Sequence, residues 1–312
     1  MIISASRRTD VPAFYSEWLF KRFREGYTLV RNPYNNQVSK IDLSPDVVDA
    51  IVFWTKNPVN MISRIHELAH YAYYFQYTLN AYGQDIEKHV PSKNDVIIPA
   101  FQQLSDKIGK EKVVWRYDPV FFNEKYTLDY HVKYFNLLAN KLADYTEKCT
   151  ISFIDMYKHI EERVNPLKIG PGSKQQQIDL IGKFSEIAID HGIYIDLCAE
   201  NVDFGQTVRH AKCIDQQRLE RIGDYKLDVG KDSGQRKNCG CVASIDIGAY
   251  NTCLNQCVYC YASNQDNSSS KGKKKLHKPD SPLLFGDIGP EEVIKEKTVK
   301  SNKQQQVSLF DL

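Results

Sequence analysis

Gln176-Gln-Ile-Asp-Leu-Ile-Gly-Lys-Phe-Ser-Glu-Ile-Ala-Ile-Asp-His191-Gly192-Ile193-Tyr-Ile-Asp-Leu197 holds the grammar of this chain in miniature. An amphipathic stretch of helical period is stopped by Gly192, and a short apolar run of strand length follows at once. The same alternation recurs along most of the 312 residues. Apolar runs stand at Ile2–Ser4, Ala50–Trp54, Tyr71–Thr78, Val113–Tyr117, Thr150–Phe153, Ile193–Leu197 and Val242–Ile247. Amphipathic stretches lie between them at Pro12–Arg24, Pro58–His70, Asp95–Ile108, Leu128–Tyr145 and Gln176–His191. Strand, helix and strand of these lengths predict parallel βαβ units. Six or seven such units suit a TIM-like (β/α) barrel, complete or partial. No Gly-rich dinucleotide fingerprint follows any strand, which disfavours an open doubly wound sheet.

Two segments depart from the pattern. Tyr27–Leu43 places short runs around Asn32-Pro33-Tyr34-Asn35-Asn36 and reads as a hairpin insertion. Residues 263–312 are polar over most of their length, so the barrel is expected to span 1–262 and a mostly extended tail to follow, with a short helix at Pro290–Lys297. Hydrophobic residues make up 42% and the formal net charge is +2, so a large core is available and any nucleic-acid surface must be a local patch. The N-terminus has no basic region followed by a long apolar run, and no apolar run is long enough to span a membrane, which predicts a cytoplasmic protein.

In that compartment the eight cysteines are not expected to form structural disulfides. Five of them fall within 22 residues, which favours metal binding. Cys253-Leu-Asn-Gln-Cys257-Val-Tyr-Cys260 has the spacing C-x3-C-x2-C. Three thiolates this close can hold one face of a cubane iron–sulfur cluster and leave the fourth iron open. Cys198, Cys213, Cys239 and Cys241 are candidates for a second [4Fe-4S] cluster, and Cys149 reads as a core residue. A zinc site drawing on Cys239, Cys241 and the three-cysteine motif is the alternative.

A parallel barrel gathers functional groups at the C-terminal ends of its strands. Those ends carry Arg7, Arg8, Lys56, Arg116, Asp118 and Glu200, with Asp10 and Asp155 beside them. Each alone is explained by capping or strand termination. Five successive strands ending in charged groups predict a pocket, and its arginines suit an anionic substrate.

The three-cysteine motif, with an aromatic residue before its last cysteine, resembles the signature of radical S-adenosylmethionine (SAM) enzymes. Ser6–Tyr15 (SRRTDVPAFY), Phe53–Pro58 (FWTKNP), Trp115–Pro119 (WRYDP) and the terminal cysteine block together resemble a bacterial domain-of-unknown-function family with a radical-SAM-like cluster at its C-terminus. Cys260-Tyr261 adds a short likeness to spore photoproduct lyase and related DNA repair enzymes. The resemblance implies a lyase or transferase in which Cys253, Cys257 and Cys260 ligate a [4Fe-4S] cluster. SAM would bind the open iron, and an electron donor such as a flavodoxin or ferredoxin would drive C–S cleavage to a deoxyadenosyl radical. Two features depart from the radical SAM pattern: the chain has no Gly-Gly pair, and its cysteine-bearing strand comes last rather than first. A permuted barrel accommodates the second, because the last strand of a closed ring neighbours the first.

The tail supplies two more expectations. Lys271–Lys278 carries five lysines, suited to a nucleic-acid backbone or to solubility. Gln306-Val-Ser-Leu309-Phe310 resembles the peptide by which bacterial repair proteins bind the sliding clamp. The rival readings are a nucleic-acid-associated iron–sulfur binding or redox-sensing protein recruited to that clamp, and a zinc-containing barrel hydrolase.

Overall fold

The alternating runs become one parallel sheet. The computed structural model describes residues 1–198, 200, 208–236, 238–263 and 277–304. The chain begins with β1 (Ile2–Ala5), α1 (Val11–Phe14) and α2 (Ser16–Glu25), then a hairpin of β2 (Tyr27–Arg31) and β3 (Val38–Asp42). Strands and helices follow as β4 (Ala50–Thr55), α3 (Val59–Ile62), β5 (Ala72–Thr78), α4 (Ile98–Ile108), β6 (Val113–Val120), α5 (Leu128–Leu142), β7 (Lys148–Phe153), α6 (Glu161–Val164), α7 (Lys174–Asp190) and β8 (Tyr194–Leu197). The remaining elements are β9 (Arg209–His210), α8 (Gln216–Gly223), β10 (Ile245–Asp246) and β11 (Ile294–Glu296).

Eight strands pair in the order β10-β1-β4-β5-β6-β7-β8-β9, every pair parallel. The last strand of the sheet lies beside the first, with Ile245 opposite Ile3 and Asp246 opposite Ser4. Strands β9 and β10 form the two edges.

Side chains alternate across a strand, and here both faces are buried, which is why the strands read as continuous apolar runs. Ile3, Ile51, Phe53, Phe75 and Trp115 face the helices and pack with Trp18, Phe101, Phe135 and Phe184. Trp115 stacks on Phe135 at 4.8 Å and Phe135 on Phe184 at 3.9 Å, tying β6 to α5 and α7. The opposite face, with Ile2, Val52, Tyr74 and Val114, is covered by residues between 211 and 242, including Ile214, Leu219 of α8 and Leu227. α7 starts at a capping box between Ser173 and Gln176, and past its end Gly192 takes φ 66°, the left-handed conformation that glycine reaches without strain.

The hairpin forms as expected, antiparallel from Tyr27 opposite Asp42 to Arg31 opposite Val38. Three details differ from expectation. Pro58–His70 splits into α3 and a 3-10 turn at Ile65–Leu68. Only Ile245–Asp246 of Val242–Ile247 pairs as strand. Pro290–Lys297 is not a helix: Ile294–Glu296 pairs with β3, whose free edge offers hydrogen bonds that an isolated short helix lacks.

Residues 277–304 run along the body. Trp18 Nε1 donates to the Ser281 carbonyl at 2.9 Å, and the N-terminal amine donates to the Lys300 carbonyl at 3.0 Å. Gln306, Leu309 and Phe310, with Lys271, Lys273, Lys274 and Lys275, lie outside the described residues. Among the described residues no helix is long and apolar enough to cross a membrane.

Candidate functional site

Strand β10 delivers the three-cysteine loop to the C-terminal end of the sheet. Asp246 locks that position: its carboxylate accepts from Ser4 Oγ at 2.9 Å, Ser6 Oγ at 2.7 Å and the Arg7 amide at 2.8 Å. Gly248 then passes so close to β1 that a Cβ there would lie 2.1 Å from Ser6 Oγ. Three separate parts of the chain hold the loop. The Val258 amide donates to the Ile86 carbonyl at 2.9 Å, and Tyr15 Oη donates to the Thr252 carbonyl at 2.5 Å. Arg163 donates from Nη2 to the Cys260 carbonyl and from Nη1 to that of Ser263, both at 2.7 Å.

Cys257 is buried, while Cys253 and Cys260 are partly exposed. Burial raises the pKa of all three thiols, Cys253 to about 12, and Asp10 and Cys260 add to its shift. Each thiol feels at least one of the others, which places them in one electrostatic group. A bound cation supplies the positive charge that ionising such a group requires.

Asp10 joins the strand ends to this loop. It accepts from the Ala13 amide at 3.1 Å, the Lys56 amide at 2.8 Å and Asn255 Nδ2 at 3.2 Å, and burial pushes its pKa up to about 6. Lys56 Nζ lies 2.7 Å from Glu87 and 5.6 Å from the centre of the Tyr259 ring, just before Cys260. Glu87 itself bridges in antiparallel fashion to Cys257.

The strand-end residues gather on this end of the sheet in two groups. Arg7 and Arg116 share Trp54, their guanidinium carbons 5.3 Å and 5.2 Å from its ring. Arg116 also pairs with Asp118, whose carboxylate accepts from Ser152. Arg7 Nη1 is 3.5 Å from Asp232. Arg8 turns toward the cysteine loop, 5.3 Å over Tyr250 and 3.9 Å from Asp246. The cations are thus brought together with matching carboxylates, because a buried charge needs a partner. Glu200 Oε1 accepts from the Phe153 amide at 2.8 Å; burial, then Asp155, pushes its pKa to about 7 against that hydrogen bond.

Glu200 yields a prediction. Its folded pKa lies above the ordinary 4.5. Its contribution to stability is therefore present below about 4.5 and lost as pH rises through about 7. Glu200→Gln should flatten that part of the stability–pH curve, read by denaturant unfolding at pH 5 and 8. An unchanged slope would refute the assignment.

The second cysteine group lies on the face of the sheet that carries Ile2, Val52, Tyr74 and Val114. Cys198 Sγ is 3.2 Å from Cys213 Sγ, the Ile214 amide donates to Cys241 Sγ at 3.3 Å, and Cys241 acts on the ionisation of both Cys213 and Cys239. All four are buried. Arg116 Nη1 donates to Cys213 Sγ at 3.0 Å. Among the described residues no three His, Cys, Asp or Glu side chains already stand as a metal cage. Cys149 is buried in β7, among core residues. A cavity of about 590 Å³ lies elsewhere, between α7 and β8, lined by Ile178, Ile181, Ser185, Ile189 and Tyr194, and it meets none of the cysteines.

Sequence reasoning did not single out Glu87, Lys93, Asp246, Arg163 or Asn255. Glu87 reaches Lys56 across 31 positions, Arg163 reaches Cys260 across 97 and Asp246 reaches Ser4 across 242, and nothing in local spacing marks these partners; Asn255 lies inside the cysteine motif and Lys93 close to Glu87 in the chain.

No curated protein matches this chain. A solved structure described as a "putative alpha-L-fucosidase" from Bacteroides thetaiotaomicron is similar over 69% of this chain and 81% of its own, at 13% identity and a TM-score of 0.26, too low to support an argument. The model of a family described as a domain of unknown function, DUF1848, matches residues 2–262, so the chain belongs to that family.

Proposed function

We propose that this DUF1848 protein is an iron–sulfur enzyme of the radical SAM type, acting in the cytoplasm on an anionic or nucleic-acid-related substrate. The observation that carries the reading is the three-thiol loop at the C-terminal end of a parallel sheet, on the strand adjoining β1. In this reading the sheet is a TIM-like barrel, permuted so that β10 takes the place usual for a first strand. The residues present fit a cluster: the donors are soft thiolates, two are partly exposed, and Lys56 and Arg163 offset their charge.

With SAM, a bound [4Fe-4S] cluster supplies one-electron cleavage of a C–S bond, given electrons from a flavodoxin or ferredoxin. The protein's own residues do the rest. Arg8 offers a partly screened cation to a carboxylate. Tyr250 and Tyr261 stand beside the loop, and Tyr261 Oη donates to the Arg7 carbonyl at 3.0 Å, holding the arginine turn against it. Arg116 and Asp118, fixed by Trp54 and Ser152, present a charged wall for substrate. Glu200 holds or releases a proton near neutral pH.

Anaerobically reconstituted protein, given SAM and dithionite, should release 5′-deoxyadenosine and methionine in equal amounts. A fully loaded cluster with no deoxyadenosine above the protein-free control would overturn the radical SAM reading and leave a redox or structural cluster.

A further inference from the structure

We propose that Cys198, Cys213, Cys239 and Cys241 bind a single tetrahedral metal ion of the zinc class, which ties together the two edges of the eight-stranded sheet. The sequence suggested the same four residues for a second cubane. Their geometry favours one ion.

The first argument is size. In a tetrathiolate zinc site the metal–sulfur bond of about 2.3 Å sets neighbouring sulfurs roughly 3.8 Å apart, so the thiolates almost touch. Here Cys198 and Cys213 are 3.2 Å apart, and Cys241 Sγ accepts at 3.3 Å from the amide of Ile214, the residue next to Cys213. A tetrahedral ion would part Cys198 and Cys213 by roughly 0.6 Å and draw the Cys239 and Cys241 sulfurs in to the same separation. A cubane holds its ligand sulfurs far beyond mutual contact and would have to push open a buried, packed face.

The second argument is that the backbone is built for this approach. The Cys198 amide donates to the Ile151 carbonyl at 2.8 Å, and the Cys239 amide to the Arg236 carbonyl at 2.9 Å. The Val242 amide donates to the Ile214 carbonyl at 3.2 Å, drawing the C-x-C segment onto the one that bears Cys213. Gly240, between the paired cysteines, permits that contact: a Cβ there would lie 2.9 Å from Lys212 Cγ and 3.3 Å from the Ala211 carbonyl oxygen.

Charge is the third. Four thiolates around a divalent ion carry a net charge of about −2. Two arginines face the group. Arg116 Nη1 donates to Cys213 Sγ at 3.0 Å, and Arg7, which shares Trp54 with it, is in electrostatic contact with Cys241 and Cys213. The Ile214 amide donates to Cys241 Sγ at 3.3 Å. N–H donors to metal thiolates are the usual outer support of such sites. Binding displaces the thiol protons, one for each thiolate formed, to solvent, with no change of oxidation state.

Placement gives the ion its task. Cys198 follows β8 and Cys213 follows β9, at one edge of the sheet; Cys239 and Cys241 precede β10, at the other. No strand pairing joins β9 to β10 among the described residues. One ion bonded to all four would clip that seam beside Arg7 and Arg116.

The test is metal analysis of the full chain purified anaerobically from medium supplied with zinc and iron. It does not depend on the radical SAM reading, because zinc and iron are counted separately. The wild type should hold about one zinc per chain. C239A/C241A should lose it, and C253A/C257A/C260A should keep it. Should C239A/C241A be insoluble, zinc-edge X-ray absorption of the wild type decides, with four sulfur ligands expected. The proposal fails if zinc is absent from the wild type, if the zinc leaves with the C253A/C257A/C260A substitutions, or if iron reaches about eight per chain, the content of two cubanes. It fails also if non-reducing peptide mapping finds Cys198 and Cys213 joined as a disulfide in metal-free wild-type protein.

Discussion

Protein carrying alanine at Cys253, Cys257 and Cys260 together should hold less than a tenth of the iron of the wild type, which should hold about four per chain after anaerobic reconstitution. Nearly complete loss is expected because, among the described residues, no other cysteine lies in that loop. The other cysteines near the sheet, Cys198, Cys213, Cys239 and Cys241, contact one another and Arg116 instead. The loop is also pinned independently of its thiols, through Val258 to Ile86, Thr252 to Tyr15 and Cys260 to Arg163. The triple variant should therefore stay folded, and circular dichroism alongside iron and sulfide analysis separates ligand loss from unfolding. Single replacements should differ. Cys257 is buried, so its alanine variant loses both a ligand and core packing; Cys253 and Cys260 are partly exposed, so theirs should cost mainly the ligand. Unchanged iron in a folded triple variant would remove the cluster from this loop.

The strands were legible because burial on both faces forces continuous apolar runs, and these run from Ile2 to Leu197 with helical periods between them. The cysteine loop was legible because its three cysteines lie within eight consecutive residues. β9 was not, since two residues of strand carry no period, and β10 was legible only as the longer run Val242–Ile247, of which Ile245–Asp246 pairs. The cover of the second sheet face was also hidden: residues between 211 and 242 cover it with α8 and irregular segments, and irregular chain leaves no pattern to read. The strand-end charges were visible as a set, but their pairing was not. Arg7 finds Asp232 across 225 positions, and only the folded sheet puts Arg7 and Arg116 together beside Trp54. Grouping Cys198 and Cys213 with the C-x-C pair rested on counting leftover cysteines, which identifies the donors but not the distances that choose a metal.

Glu87→Gln should destabilise the protein by about 3–5 kcal/mol at pH 7, the usual cost of breaking a buried ion pair from one side. The side chain of Glu87 is only 2% exposed, and it meets two cations, Lys56 and Lys93, each at 2.7 Å. Tyr259 Oη donates to the same carboxylate, and Asn80 Nδ2 approaches it at 3.4 Å. Glutamine keeps one acceptor oxygen and nearly the same volume, so the change isolates charge from packing; two ammonium groups would then share a largely buried site with no anion between them.

The pH dependence gives this prediction its sign. Burial works to raise the Glu87 pKa, but Lys56 and then Lys93 outweigh it and hold the group at about 2, below the ordinary 4.5. A depressed carboxylate stabilises the fold above its unfolded pKa and loses that contribution as pH falls through the folded value. The gap between wild type and Glu87→Gln should therefore be constant above about pH 5 and narrow as pH falls from 4.5 toward 2. Denaturant unfolding of both proteins at equal metal loading, at pH 7 and pH 3, measures it; a difference under about 0.5 kcal/mol at pH 7 would mean the pair is solvated and contributes little. The consequence reaches the cysteines. Glu87 bridges to Cys257 through its backbone, while its carboxylate holds Tyr259, so a loosened side chain frees one wall of the thiol loop. Iron should then leave Glu87→Gln faster than wild type under a chelator, even though no ligand has been touched.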